Sequence, residues 1–224
     1  MAGKGRAMEF RRMNEGDFDG VLKLMVKAFF SSTLYTWAAA DEGERLKILD
    51  AMFRCRIRGW LEDSREVELA LEGGHIVGSA TWLEVAAAPQ SGGPSLDAVF
   101  DGWGATAAER WSKFQAVIET QEKNMVPPAW ELAPIAVLPE KQGKKIGAAL
   151  ITKKLALIDA AGLPCYLCTQ DRKNLAIYER FGFRKQGELF ISEGGPVSYT
   201  MKREGGADPR QALPLLTIDR TAAP

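Results

Sequence analysis

WELAPIAVLPEKQGKKIGAAL, residues 130–150, decides how this chain is built. Its first nine residues form an apolar run that reads as a strand and stops at Pro139. A short turn follows, carrying Lys141, Gly143, Lys144 and Lys145, and a small-residue helix is expected from Lys144 to Ala161. The first backbone N–H groups of a helix have no acceptor inside it. Beside three lysines, those groups make an anion site. The turn contains neither G-x-x-x-x-G-K-[ST] nor G-x-G-x-x-G, so it is neither a nucleotide P-loop nor a dinucleotide fingerprint.

Upstream, MEFRRMNEGDF reads as a strand and a turn, with Asp17 placed to cap a helix through VLKLMVKAFF. Val21, Leu22, Leu24, Met25, Phe29 and Phe30 recur there at helical spacing. A second helix is expected from about Asp41 to Trp60, with Leu46, Ile48, Leu49, Met52, Phe53 and Ile57 on its inner face. EVELALEGGHIVGSATWLEV reads as a hairpin turning at Gly73-Gly74, which leaves His75 exposed at the turn. From Ala86 to about Thr106 the composition shifts to Ala, Pro, Ser and Gly, a long connection of the kind that carries function. A helix from Ala107 to about Asn124 precedes Pro127-Pro128.

Downstream of the turn come a strand at Pro164–Thr169, a short helix at Asn174–Phe181 and a closing hairpin near Phe183–Ile191 and Pro196–Lys202. This order describes one α/β domain over residues 1–203, with a mixed sheet and an insertion and helix at 86–125. Strand, helix and strand over 130–169 should form a right-handed parallel crossover. The tail 204–224 should be poorly ordered or packed on the surface.

Composition bounds the function. Lys+Arg and Asp+Glu stand at 29 each, which argues against coating nucleic acid or a membrane surface. Three cysteines and one histidine offer neither a disulfide framework nor a zinc ligand set, and no metal is expected. Cys165 and Cys168 form C-x-x-C, but on a strand, so they read as packed thiols. No apolar run reaches membrane-span length and no signal peptide opens the sequence, so the chain reads as cytoplasmic, a monomer or a homodimer.

Two motifs carry a family resemblance. Gln142-Gly143-Lys144-Lys145-Ile146-Gly147 resembles the GNAT acetyltransferase signature of Gln or Arg, two residues, Gly, one residue, then Gly or Ala. The middle glycine is Lys145 here, which must then hold a glycine's dihedrals with its side chain pointing away. NLAIYERFGF, beginning 32 residues after Gln142, resembles the family's C-terminal Asn, Tyr and Gly-Phe motif. Together with WELAPIAVLP it looks closest to the puromycin N-acetyltransferase-like branch. The resemblance implies a strongly twisted sheet of about seven strands, flanked by helices and splayed at its central parallel pair.

It also implies the chemistry, with acetyl-CoA as co-substrate. Backbone groups of Ile135, Ala136 and Val137 would hold the pantetheine arm. Gln142, Gly143, Lys144, Lys145, Ile146, Gly147 and Ala148 would cradle the phosphates. Asn174 would hydrogen-bond the cofactor, and Tyr178, one helical turn on, would protonate the leaving thiolate. Glu131, eleven residues before Gln142, stands at the offset of the catalytic glutamate in histone-acetylating members. A water relay is the alternative base. Phe30, Tyr35, Trp82 and Cys168 are the candidate acceptor contacts, Cys168 replacing an acidic residue common in that branch. A small-molecule primary amine is the expected acceptor. A protein N-terminus or lysine, and a non-catalytic acyl-CoA sensor, are the competing readings.

Overall fold

The computed structural model describes residues 7–62, 65–85 and 102–206. Residues 86–101 of the expected insertion and 207–224 of the expected tail lie outside them. The elements are β1 (Met8–Arg12), α1 (Phe18–Phe29), α2 (Thr33–Ala38), α3 (Glu42–Glu62), β2 (Glu66–Glu72), β3 (His75–Val85), α4 (Ala105–Glu122), β4 (Ala129–Val137), α5 (Ile146–Ala160), β5 (Cys165–Thr169), α6 (Lys173–Glu179), β6 (Arg184–Phe190) and β7 (Val197–Arg203). The seven strands form one mixed sheet in the order β1-β2-β3-β4-β5-β7-β6. Only β4 and β5 pair in parallel, and they share just Trp130↔Cys165 and Glu131↔Tyr166.

Alternation along the strands feeds two cores. Val67, Leu69 and Leu71 of β2, with Ala136 of β4, face α1, α2, α3 and α4, whose Leu24, Met25, Tyr35, Phe53 and Trp111 fill that layer. Ala70, Val77, Ala80, Trp82 and Leu132 face the other way, onto Ile146, Leu150 and Ile151 of α5. Gly78 lets α5 close on the sheet, since a Cβ there would stand 3.0 Å from the Ile146 side chain. Gly73 and Gly74 turn the β2–β3 hairpin at φ 59° and 80°, which a glycine adopts without steric cost, and His75 is exposed as expected.

The N-terminal cap differs from the sequence expectation. Asn14 accepts from the Gly16 N–H at 2.9 Å and caps a 3-10 turn, Glu15–Asp17. Asp17 makes no side-chain cap to α1. Its carboxylate instead accepts from the Asn14 N–H at 2.9 Å and from both Arg11 guanidinium nitrogens at 2.6 and 2.7 Å. The Arg11 hydrogen bond holds the Asp17 carboxyl below the usual carboxylate range.

Two further differences are geometric. Thr33–Ala38 folds as α2, six residues too short to display a helical period. Leu46, expected on the inner face of α3, is 49% exposed, while Ile48, Leu49, Met52, Phe53 and Ile57 are sealed. Phe53 lies 5.4 Å from the Phe29 ring and 6.3 Å from the Tyr35 ring. Phe53→Ala should therefore lower the unfolding free energy by about 3–5 kcal/mol. Leu46→Ala should shift it by no more than about 0.5 kcal/mol, both measured by urea denaturation.

Candidate active site

The site begins where β4 and β5 part. The Leu138 N–H donates to the Val77 carbonyl at 3.0 Å. Antiparallel alternation then turns the backbone groups of Ala136 toward β3, and those of Ile135 and Val137 toward the other edge. Beyond Glu131 that edge has no strand partner. The Val137 carbonyl accepts instead from the Gln142 side chain at 3.2 Å. The open edge thus consists of Ile135 and Val137. Ala136, expected beside them, spends its backbone on β3, and its side chain is buried in the core.

A 3-10 turn, Pro139–Lys141, carries the chain from β4 toward α5. Gly143 sits at φ 74°, and Lys145 at φ 63°, ψ 9° is the single non-glycine residue with positive φ among the described residues. The position occupied by glycine in the signature is thus left-handed here, and a lysine holds it. Lys145 also ends the turn: its carbonyl accepts the first intrahelical bond of α5, from the Ala149 N–H at 3.0 Å. The N–H groups of Ile146, Gly147 and Ala148 precede that bond and have no intrahelical acceptor. Those of Gly143, Lys144 and Lys145 meet no backbone acceptor among the described residues. Consecutive free donors at a helix start, with Lys144 and Lys145 beside them, suit a pyrophosphate. A Cβ at Gly147 would meet only Ile135 and Val137 side chains at 3.7 Å, ordinary contact, in keeping with Gly or Ala at the signature's last position.

On the opposite face of β4 lies Glu131, 7% exposed. Among the described residues no side chain hydrogen-bonds its carboxylate. Burial raises its pKa to about 7, with the Glu122 charge adding to the rise and Arg65 and Arg56 opposing it. Cys168 shares this face, packed with Met125, Ala129 and Tyr166. Its thiol lies 4.0 Å from the Thr200 hydroxyl, and burial pushes it up to about 12, so it stays protonated at neutral pH. Cys165, pushed up by burial as well, lies on the α5 side of the sheet.

Tyr178 is buried on α6, edge-on to Phe183 at 6.0 Å. Burial first, and the Asp171 charge second, push its phenol up to about 12, so it remains a proton donor. Asn174 donates to the Thr169 hydroxyl at 3.2 Å, tying α6 to the end of β5. The acceptor candidates are scattered. Tyr35 is sealed against Trp111 at 5.6 Å, its hydroxyl donating to Met52 Sδ at 3.4 Å. Trp82 has no exposed surface and sits in the core on the α5 side, so it does not meet Glu131. Phe30 lies under the Arg45 guanidinium, 4.6 Å away, in a groove with Val26, Lys27 and Pro139 near the anion turn. Of the four, only Cys168 stands with Glu131.

Two elements roof the cleft. Thr33, at the start of α2, hydrogen-bonds Asp171 across the opening. A Cβ at Gly195, in the β6–β7 turn, would lie 3.2 Å from the Trp37 ring of α2. Neither Asp171 nor Arg56 was marked by motif or spacing to the neighbours they meet. Arg56 does leave one signal, a charge one turn beyond Met52 on the side of α3 that bears Met52 and Trp60.

A left-handed lysine costs roughly 1–2 kcal/mol, partly offset by the entropy a glycine would lose on folding. Lys145→Gly should therefore stabilise the fold by about 0.5–1 kcal/mol in urea titrations. A loss of stability would show that the Lys145 side chain is itself a structural contact.

With the geometry in place, known proteins can be set beside it. Residues 107–185 match the family described as the acetyltransferase (GNAT) domain. An uncharacterised N-acetyltransferase of Schizosaccharomyces pombe is 24% identical over 229 residues, spanning 92% of this chain and 90% of its own. The structure resembles that of a histone acetyltransferase HPA2 and related acetyltransferase from Corynebacterium glutamicum, with a TM-score of 0.64, 21% identity, and coverage of 89% of this chain and 97% of that one. It also resembles the PaiA N-acetyltransferase of Thermoplasma acidophilum, solved in complex with coenzyme A, with a TM-score of 0.54, 12% identity, and coverage of 88% and 99%. The structural likenesses speak for the fold. The family match spans β4, the anion turn, α5, β5 and α6, the segment that builds the site, and with the N-acetyltransferase relative it supports an acyltransferase enzyme.

Proposed function

We propose that this chain is an acetyl-CoA-dependent N-acetyltransferase that modifies the primary amine of a small molecule in the cytoplasm, by direct attack in a ternary complex. The observation that carries the proposal is Glu131. A buried carboxylate with no hydrogen-bond partner among the described residues, poised at about 7 beside the point where β4 leaves β5, is suited to take a proton from an ammonium at neutral pH.

Acetyl-CoA supplies the activated thioester. The free backbone edge of Ile135 and Val137 suits the pantetheine amides, and the N–H groups of residues 143–148 suit the pyrophosphate. Lys144 and Lys145 add charge there. Tyr178, held protonated, is the donor for the departing thiolate, and Asn174 fixes the helix that carries it. Contact between α2 and the β6–β7 turn narrows the acceptor approach, which favours a small amine over a protein segment. A non-catalytic sensor would have no use for a carboxylate kept at this cost.

The cost has a measurable sign. A carboxyl raised from 4.5 to about 7 contributes stability that is fully present below pH 4.5 and lost as pH rises through 7. Wild type should therefore lose about 3 kcal/mol relative to Glu131→Gln between pH 4.5 and 8. In activity, wild-type kcat/KM should rise with pH up to about 7. Glu131→Gln should lower it by roughly 10²–10⁴-fold and erase that limb, while Tyr178→Phe lowers it without moving the limb. Free-thiol release across an amine panel reads both. The whole proposal falls if CoA at millimolar concentration gives no thermal stabilisation.

A further inference from the structure

Three hydrogen bonds tie α4, β7 and the end of β5 into one chain. Gln121 donates from Nε2 to the Ser198 carbonyl at 3.2 Å and accepts at Oε1 from the Ser198 hydroxyl at 2.8 Å. Gln170 donates from Nε2 to the same hydroxyl oxygen at 2.9 Å. Gln121 and Ser198 are buried, so solvent offers them no alternative partners.

One group fixes the direction of every bond. A backbone carbonyl can only accept, so the Gln121 amide turns its NH2 to that carbonyl and its oxygen to the Ser198 hydroxyl. The amide oxygen can only accept as well, so the hydroxyl spends its one proton there. Ser198 Oγ then has only lone pairs to offer Gln170. Gln170 must give it the NH2, which leaves the Gln170 carbonyl oxygen pointing away from the network. Among the described residues no group donates to that oxygen.

The oxygen belongs to the acceptor approach. Strand alternation puts Cys168 and Gln170 on the same face, and Cys168 packs beside Thr200, two residues after Ser198. Thr33 and Trp37, one turn apart on α2, reach Asp171 next to Gln170 and Gly195 three residues before Ser198. Gln170 therefore lies under the helix that roofs the cleft. It stands four residues beyond Tyr166, the strand partner of Glu131, about 13 Å along the chain. One nitrogen cannot reach both side chains over that span, so the group that meets Gln170 is a second one.

We propose that Gln170 is a specificity-determining residue, whose fixed carbonyl oxygen accepts a hydrogen bond from a hydroxyl or ammonium that the acceptor carries several atoms from its reacting nitrogen. This rests on the N-acetyltransferase reading and names its substrate class, an amine with a second donor.

The experiment compares amines that differ only in replacing that donor by a methyl group: 4-aminobutanol with pentylamine, cadaverine with hexylamine, tyramine with 4-methylphenethylamine. Thiol release from acetyl-CoA is followed for each. Wild type should prefer the donor-bearing member of at least one pair by about 10- to 100-fold in kcat/KM, the cost of leaving one such acceptor unmet. Gln170→Met, which keeps the shape and removes the oxygen, should lower that preference at least tenfold. Ser198→Ala, which frees the Gln170 amide to turn, should lower it too, with Gln170 itself untouched. CoA-induced thermal stabilisation of both variants establishes that they fold. Wild type that turns over both members of every pair alike, or neither, overturns the proposal. So does a preference that survives either substitution, or a loss in Gln170→Met common to both members of a pair. CoA stabilisation of wild type keeps the N-acetyltransferase reading standing through each of these outcomes, and its absence would defeat that parent reading instead.

Discussion

Everything in this structure turns on two parallel strands that share only two residue pairs. β4 is held by β3 along its length, and β5 by β7 through five residues, so the sheet is two halves joined at Trp130↔Cys165 and Glu131↔Tyr166. Unpaired backbone groups in a protein interior are costly, and a gap of this kind persists only where something else meets them. Gln142 meets the Val137 carbonyl, and among the described residues no strand meets the rest of that edge. The halves are bound together by helices that reach across. On one side α5 places Lys154 on the Trp130 ring at 3.4 Å and on Glu66 at 3.0 Å, while its Asp159 receives Arg203 of β7 at 2.7 Å. On the other, Gln121 of α4 accepts from the Ser198 hydroxyl of β7 at 2.8 Å, and Thr33 of α2 reaches Asp171. The opening is thus a fixed feature of the fold.

The anion turn follows from the same geometry. Because α5 must start directly after the splayed edge, the chain reverses in a few residues, and two of them take positive φ. Gly143 does so without strain. Lys145 does so with it, and strain of that kind concentrates where function demands the conformation. A glycine would relieve the backbone and remove a positive charge next to six free N–H groups. The lysine in this position is best understood as charge retained at the expense of backbone ease.

The splayed strand edge and the anion turn were legible in the sequence because their geometry is local. A strand, a proline, a Gly/Lys turn and a helix start are contiguous, and contiguity fixes where N–H groups point. NLAIYERFGF is equally local, with Asn174 and Tyr178 a turn apart. The acceptor half was not legible, for the opposite reason. Which face of β3 carries Trp82 depends on the sheet register, and a bulge between Ala80 and Trp82 intervenes there. Leu46 fits a helical period yet is exposed, because periodicity locates an apolar stripe but not the edge of the surface it packs on. Asp17 looked like a cap, but an arginine two strand positions after Glu9 claimed its carboxylate, leaving Asn14 the capping role. Ala136 belonged to the right strand, but parity gave its backbone to β3.

Stability and function pull in opposite directions on the acceptor face. Glu131 carries a desolvation cost, and a salt bridge to it would reduce that cost. A mutation supplying such a partner would stabilise the fold while occupying the carboxylate that the proposed reaction uses to take a proton. Proteins break local rules of this kind at functional sites and compensate elsewhere. Here the compensation is visible in the sealed aromatic cluster beneath, where Phe29, Tyr35, Phe53, Trp111 and Phe114 pack ring against ring. That cluster gives α2, α3 and α4 a rigid base. On such a base a buried carboxylate can be kept without a partner, because moving a neighbouring helix far enough to supply one would open the core it packs on.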